Sequence, residues 1–319
     1  MILVTGASGA LGTLVLDRLR ATAGSENGST NGGRNGGEAG TAADVAEAAS
    51  TNGVIAGTRT PHGNARHLDF DQPDTLTDGF AGVDVLVFVS AGYAEDDVVL
   101  ARHGAVVAAA TAAGVRHVIY TSLAGSGERM TIALAHRWTE TRLADAPFDV
   151  TVLRNGLYSE LAAGMLAPKA KNAVHTGVLT MPWGTGRLAT VAREDLAEAA
   201  ARVAAETDAD LRAGRRGRHA GRSYELEGMT ALSGGDLAAL LAEESGRPVR
   251  YQVAPLSTAR DGLEAAGLPG YQLMHSMSAF ANINAGFLDL HPSDLPQLLD
   301  AAPREARDVV RVLLRAELG

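Results

Sequence analysis

The sequence predicts an α/β protein: a doubly wound parallel sheet with a smaller α+β lobe toward the C-terminus. Three observations predict it. Short valine-rich apolar runs alternate with amphipathic stretches through the first half of the chain, as buried parallel strands alternate with their crossover helices. The first run, Ile2-Leu3-Val4, leads into a glycine triplet, Gly6, Gly9 and Gly12, and then into Leu14, Val15, Leu16 and Leu19 at helical spacing. The 319 residues suffice for one such sheet domain and an attached lobe.

In a strand–turn–helix of this kind one glycine permits the sharp turn. A second lets a pyrophosphate approach the amides, and a third lets helix and strand pack closely. The unpaired N–H groups of the first helical turn, with the helix dipole, then hold phosphate, and Ser8 adds a hydroxyl. An ordinary strand–helix turn is the plainer alternative. Residues 24–40 lack any apolar period and predict a flexible surface insertion within 24–52, with a helical turn or two at 42–49. The second strand, Val54-Ile-Ala-Gly-Thr58, follows it.

Alternation then resumes: a helix at 74–80, a buried strand at 83–89 ending in Ser90-Ala-Gly92, and a helix at 96–113 closed by Gly114. A strand at 117–121, a helix at 132–144 and a strand at 150–153 complete the run. Ligands of such sheets sit at the carboxyl ends of the strands, so the segments just after each strand carry the chemistry. Beyond Arg154 a helix is expected at 158–166, then a Gly/Pro-punctuated stretch to Arg187 and an amphipathic helix at 193–205. Residues 211–222 carry five arginines and predict a solvated loop, with an anionic partner patch as the functional alternative. A last sheet strand at 223–227 precedes a helix at 234–245, a strand at 249–253 and helices near 257–266, 272–287 and 303–314. The division expected is 1–155 with 187–230 as the nucleotide-binding domain, and 156–186 with 231–319 as the substrate lobe.

Bulk properties narrow the function. Cysteine is absent, which excludes disulfides, a thiol nucleophile and thiolate metal sites. A net charge of −9 argues against nucleic-acid binding. No apolar run reaches membrane-spanning length, and with a strand starting at Ile2 no signal peptide is expected, so a soluble cytoplasmic protein is the simplest reading.

Nucleotide choice is set at the end of the second strand, where an acid favours NAD and an arginine the 2′-phosphate of NADP. The chain has Thr58-Arg59-Thr60 there, so NADPH is expected, with Arg59 on the phosphate and Asp69 and Phe70 flanking the adenine. A tyrosine with a lysine four residues later is the usual acid of short-chain dehydrogenases. The only lysines are Lys169 and Lys171, and positions 165 and 167 hold Met and Ala, so that catalyst is absent. His136 and Glu140 share a helical face and admit three roles: a structural hydrogen-bonded pair, a proton relay, or two ligands of a metal lacking a third.

Thr5-Gly-Ala-Ser-Gly-Ala-Leu-Gly12, Tyr120-Thr-Ser-Leu123, His136 with Thr139-Glu140, and Leu153-Arg-Asn-Gly-Leu-Tyr-Ser-Glu160 together resemble the NmrA-like atypical short-chain dehydrogenase/reductases. Within them the likeness is to the quinone-reductase and triphenylmethane-reductase branch. It covers most of the chain except 24–52 and the region around 208–222. The resemblance implies an NAD(P)-binding Rossmann fold in which Gly6, Ala7, Ser8, Gly9, Ala10 and Leu11 hold the pyrophosphate and Ser90 and Ala91 line the cofactor channel. It places Ser122 at the family serine, and Gly156, Leu157, Ser159, Glu160 and Arg193 around the nicotinamide. Leu161 stands where the quinone-reductase pattern has Asn.

The function expected is hydride transfer from NADPH to a quinone-like or other conjugated acceptor, which spreads the incoming charge over its own oxygens and so needs no Tyr/Lys acid. Tyr158 and Asn155 are the expected polar contacts and His136 a proton source; no metal is expected. A homodimer is compatible with the resemblance. The alternatives are a non-catalytic NADP(H) sensor of the NmrA type and a tailoring reductase of an aromatic metabolite. An open pocket beside Tyr158 separates enzyme from sensor.

Overall fold

A computed structural model describes residues 1–28, 53–92 and 94–318. Its frame is a seven-stranded, wholly parallel sheet in the order β3-β2-β1-β4-β5-β6-β9. The innermost strands are β1 (Ile2–Val4), β4 (Val85–Phe88) and β5 (His117–Leu123), every residue of which is buried. They are flanked by β2 (Val54–Thr58) and β3 (Arg66–His67) on one side, and by β6 (Asp149–Asn155) and β9 (Ser223–Leu226) on the other. Continuous apolar runs form β1 and β4 because helices cover both faces there and leave no wet side to alternate toward. The chain order reverses between β1 and β4, and the carboxyl ends there open a crevice.

The glycine turn connects β1 to α1 (Ala10–Gly28). Gly6 sits at φ +59°, a conformation other residues adopt at a cost, and a Cβ on Gly12 would lie 2.1 Å from the Gly6 carbonyl oxygen. α2 (Pro73–Gly79) begins on a proline, and α3 (Asp96–Ala112) carries Asp96 and Asp97 in its first turn, where the dipole favours them. α4 (Ala133–Ala144) follows β5.

After β6 the helix α5 (Ser159–Thr176) runs ten residues past its expected end and straight through Pro168. Its buried face, Ala162, Ala163, Leu166, Ala170 and Ala173, keeps helical register across the proline, so packing outweighs the one lost hydrogen bond. The chain then forms β7 (Val178–Met181) and β8 (Arg187–Ala189), neither of which was expected. α6 (Arg193–Arg212) also outruns its expected end by seven residues, because its polar tail is not solvated: Asp208 and Asp210 are buried in ion pairs. Asp210 holds Arg215 and Arg218, Asp208 holds Arg212, and Arg216 reaches Asp149. The arginine-rich stretch is an exposed loop, as expected, but an anchored one: Arg212, Arg215 and Arg218 pair with carboxylates of α6 and Arg216 with Asp149 at the start of β6.

β10 (Ala231–Ser233) pairs antiparallel with β8, and β11 (Arg250–Val253) parallel with β7. Between them lies α7 (Gly234–Ser245), opened by a Ser233–Asp236 capping box. α8 (Leu256–Ala265), α9 (Gly270–Asn284) and α10 (Ala306–Leu318) complete the chain. α5, β7, α7 and α10 share one apolar core, with Trp183 and Leu179 wholly buried in it. Leu295, Leu298 and Leu299 pack instead into the core beneath β1, α1 and α6. Of the expected insertion, residues 24–28 belong to α1; the remainder, with the helical turn expected at 42–49, lies outside the described residues. Among the described residues no helix is long and apolar enough to cross a membrane.

Candidate active site

Three cavities of about 450, 470 and 210 Å³ lie along the carboxyl ends of the sheet strands. The first two share Ser90, Ala91 and Gly92, and the last two share Ser90, Ile132, His136, Tyr158 and Arg193, so the three form one groove.

The outer end is built by the glycine turn and the ends of β2 and β3. Gly6, Ser8, Gly9, Thr58, Arg59, Asp69 and Phe70 line it. Gly6, Ser8, Gly9 and Ala10 are exposed toward the groove, and the first amides of α1 have no intrahelical acceptor. Ser8 Oγ accepts a hydrogen bond from Thr58 at 3.1 Å, which ties the turn to the end of β2. Arg102, which sequence reasoning missed, also lines this end; it grips Asp71 through two hydrogen bonds of 2.7 Å that hold the Asp71 carboxyl below its ordinary pKa.

The middle is pinned by His103, a second residue missed from sequence. Its Nε2 accepts the Ala91 N–H at 2.9 Å and its Nδ1 lies 2.7 Å from Thr139 Oγ1, fixing the segment shared by both larger cavities. Burial lowers the His103 pKa to about 3, so the ring is neutral. A signal for it was present: Asp96, Val99 and His103 follow one helical face immediately after the Ser90-Ala-Gly92 strand end, and all three line the cavity. His275 of α9 lines the far wall and meets Thr131 at 2.7 Å.

The inner end joins α4, β5, β6 and the start of α5. Asn155, Gly156, Leu157, Tyr158, Leu161, Ser122 and His136 line it. The Arg193 guanidinium stacks over the Tyr158 ring, 4.9 Å from its centroid. Asn155 is buried and its Oδ1 has no hydrogen-bond partner.

His136 and Glu140 do not bond one another; each is engaged elsewhere. His136 Nδ1 meets the Tyr120 hydroxyl at 2.9 Å. Glu140 takes Ser122 Oγ at 2.5 Å, Arg137 at 2.6 Å, and Arg154 through both Nε and Nη2 at 3.1 and 2.7 Å. Burial would raise the Glu140 pKa, but these donors hold it below the usual carboxylate value. Arg154 continues to Glu225 at 2.9 Å, and Glu225 accepts the Gly125 N–H at 2.8 Å. Strand register assembles the row: Ser122 stands opposite Arg154, and Arg154 opposite Glu225. The Ser122 hydroxyl proton is thereby committed to Glu140. Among the described residues no group of three or more His, Cys, Asp or Glu is placed to hold a metal.

Ala7, Ser159 and Glu160 do not line the three cavities. The Ala7 N–H goes to the Gly57 carbonyl at 3.1 Å, and Ser159 Oγ donates to Thr190 at 3.0 Å. The Glu160 carboxylate accepts the Arg193 N–H at 3.1 Å, capping α6. These side chains brace the groove from behind. Ala10 and Leu11 line its middle, beside Tyr158 and Arg193.

A glycine turn and a strand-order reversal that open onto one crevice are the architecture by which α/β oxidoreductases take up a dinucleotide. The chain belongs to the NmrA-like family, whose profile matches residues 1–297. It is 34% identical over 270 residues to Quinone oxidoreductase 2 of Escherichia coli (strain K12), covering 84% of this chain and 83% of that protein. It is 26% identical over 299 residues to NAD(P)H azoreductase of Xenophilus azovorans, covering 92% of each. The solved structure of NADPH-dependent quinone oxidoreductase QOR2 from E. coli complexed with NADPH matches with a TM-score of 0.77 at 28% identity, over 98% of this chain and 99% of that one. Triphenylmethane reductase of Citrobacter sp. complexed with NADP(H) also matches with a TM-score of 0.77, at 26% identity and the same coverage.

Proposed function

We propose that the groove binds NADPH and that the chain reduces a quinone-like or other conjugated acceptor at its inner end. The observation that carries this reading is the 210 Å³ cavity beside Tyr158, contiguous with the nucleotide end, which a sensor without turnover has no need of. The names of the relatives point the same way.

The residues present fit the cofactor. Gly6 takes a positive φ that exposes the turn, and the free amides of Ala10 and Leu11 suit a pyrophosphate. Arg59 lines the outer cavity at the end of β2 with no acid beside it in Thr58-Arg59-Thr60, which favours a 2′-phosphate over a free ribose. Asn155 lines the inner cavity and its buried Oδ1 is an unpartnered acceptor, of the kind that the N–H donors of a nicotinamide carboxamide satisfy.

NADPH supplies the hydride when bound. The chain's own residues orient and shield. Tyr158, held by Arg193, forms one wall; His136 forms another; Ile132, Ala135 and Val99 make the middle apolar, which excludes water and strengthens polar contacts to a planar acceptor. The Ser122 hydroxyl is tied up and the tyrosine–lysine acid is missing, so the acceptor must carry its own charge, as a quinone does and an isolated ketone does not.

The test is NADPH oxidation by the purified chain against a panel of quinones and azo or triphenylmethane dyes, with NADH in parallel. Acceptor-dependent oxidation that prefers NADPH, and that drops about tenfold in Tyr158→Phe, is the expected result. Tight NADPH binding without turnover on any acceptor would replace this reading with the sensor.

A further inference from the structure

His136 lines both the middle and the inner cavity, and its two ring nitrogens meet different surroundings. Nδ1 faces Tyr120 Oη at 2.9 Å, and Tyr120 is wholly buried in β5. Burial raises the Tyr120 pKa, against an opposing pull from Thr139, so the phenol keeps its proton and needs an acceptor for it. Thr139 Oγ1 is already engaged. It donates to the Ala135 carbonyl at 2.7 Å, and 2.7 Å away it takes the proton of His103 Nδ1, whose other nitrogen accepts from Ala91. The acceptor within hydrogen-bond distance of the Tyr120 hydroxyl is His136 Nδ1, at 2.9 Å. Burial, and then the charge of Arg137, lower the His136 pKa to about 4 while Glu140 pulls the other way. The ring is neutral at pH 7 and has a single N–H, and with Nδ1 accepting, that N–H is on Nε2.

We propose that Tyr120 locks His136 in the neutral Nε2–H tautomer, and that this N–H donates a hydrogen bond to the acceptor oxygen on which negative charge gathers during reduction. The identity of that oxygen rests on the reductase reading above. A hydride from NADPH brings two electrons and one hydrogen to a quinone, leaving NADP⁺ and a hydroquinone monoanion. Water supplies the remaining proton, because a neutral imidazole that gave up its N–H would become an imidazolate. His136 is thus an electrostatic donor, preorganised at the point where charge develops, rather than the proton source expected from sequence. Tyr120 is a positioning residue that acts through it.

The test uses the full chain with ¹⁵N-labelled histidines. The His136 signals, assigned by their loss in His136→Gln, should show a protonated Nε2 and a bare Nδ1 at neutral pH. Adding 1,4-naphthoquinone to the NADP⁺ complex, in which no hydride is available, should move the Nε2–H signal. In Tyr120→Phe the tautomer preference should be lost and kcat with a quinone should fall about tenfold, the size of one neutral hydrogen bond, while the KM for NADPH stays within about twofold. A protonated Nδ1 or an imidazolium in the wild-type chain overturns the proposal, as does an Nε2–H signal that the quinone leaves unmoved with NADP⁺ bound. Failure of the reductase reading looks different: the tautomer as described, NADP⁺ bound and no turnover with any quinone. That result keeps the lock and removes the donor role.

Discussion

The nucleotide end of the groove and its inner end are built in opposite ways. At the nucleotide end the working groups are backbone amides of residues 6–11 and side chains at the tips of two neighbouring strands, Thr58, Arg59, Asp69 and Phe70. At the inner end Tyr120, His136, Arg193 and the turn holding Asn155 and Tyr158 come from four separate segments, held by Glu140, Arg154 and Glu225 on strands and a helix that meet only in the folded sheet. A site made of local backbone is fixed by a dozen consecutive residues. A site made of long-range pairs is fixed by strand register, and the difference predicts which substitutions each end tolerates.

The largest effect should come from the knot under the inner end. Glu140→Gln removes the charge that three donors share in a largely buried position, and should cost about 3 kcal/mol of stability. It should also lower kcat, while NADPH still binds; chemical denaturation and cofactor titration read the two separately. Unaltered stability would mean that Arg154 and Ser122 find other partners and that the row is not what holds the inner wall.

At the nucleotide end, Gly12→Ala drives a methyl against the Gly6 carbonyl and should cost about 2 kcal/mol and weaken NADPH binding at least as much as it weakens folding. Normal NADPH affinity in this variant would break the claim that the turn is rigidly specified.

Protons sharpen the comparison further. His103, His117 and His136 are held neutral by burial, with pKa values lowered to about 3, 4 and 4. The unfolded chain therefore binds more protons than the folded one below the ordinary histidine value. Stability should be fully present above about pH 6.5 and decline as pH falls toward 4, by up to about 1.4 kcal/mol per pH unit for each histidine. Denaturation midpoints measured across that range check the sign.

The smallest effect is expected at Glu227, a carboxyl that contrasts with Glu140. Burial raises its pKa, one oxygen accepts only the Ser126 N–H at 3.2 Å, and the other has no partner. Glu227→Gln keeps the acceptor and should change stability at neutral pH by less than about 1 kcal/mol.

The same contrast explains what was legible in the sequence. Consecutive signals carried the parallel sheet and the glycine turn. Arg59, Asp69 and Phe70 were placed by their position after strands, and the structure brings them to one cavity. Non-consecutive signals were opaque. Spacing put His136 and Glu140 on one helical face, but the cross-strand partners Tyr120, Ser122 and Arg154 claim them separately. Pro168 suggested an end to α5 because its ring breaks a local hydrogen bond, whereas the buried alanine face that carries the helix past it is a tertiary fact. α6 outran its expected end because only the turn of the chain after the helix brings Arg215 and Arg218 back onto Asp210, and so buries its polar tail.

The division of labour between the two ends is tested most directly by steady-state kinetics of Arg59→Ala and His136→Leu side by side, with NADPH and one quinone. Arg59→Ala should raise the KM for NADPH about tenfold, the loss of one charged phosphate contact, and leave kcat near wild type. His136→Leu should lower kcat by about 100-fold with the NADPH KM unchanged. The reverse pattern, or equal losses in both constants for both variants, would contradict the account.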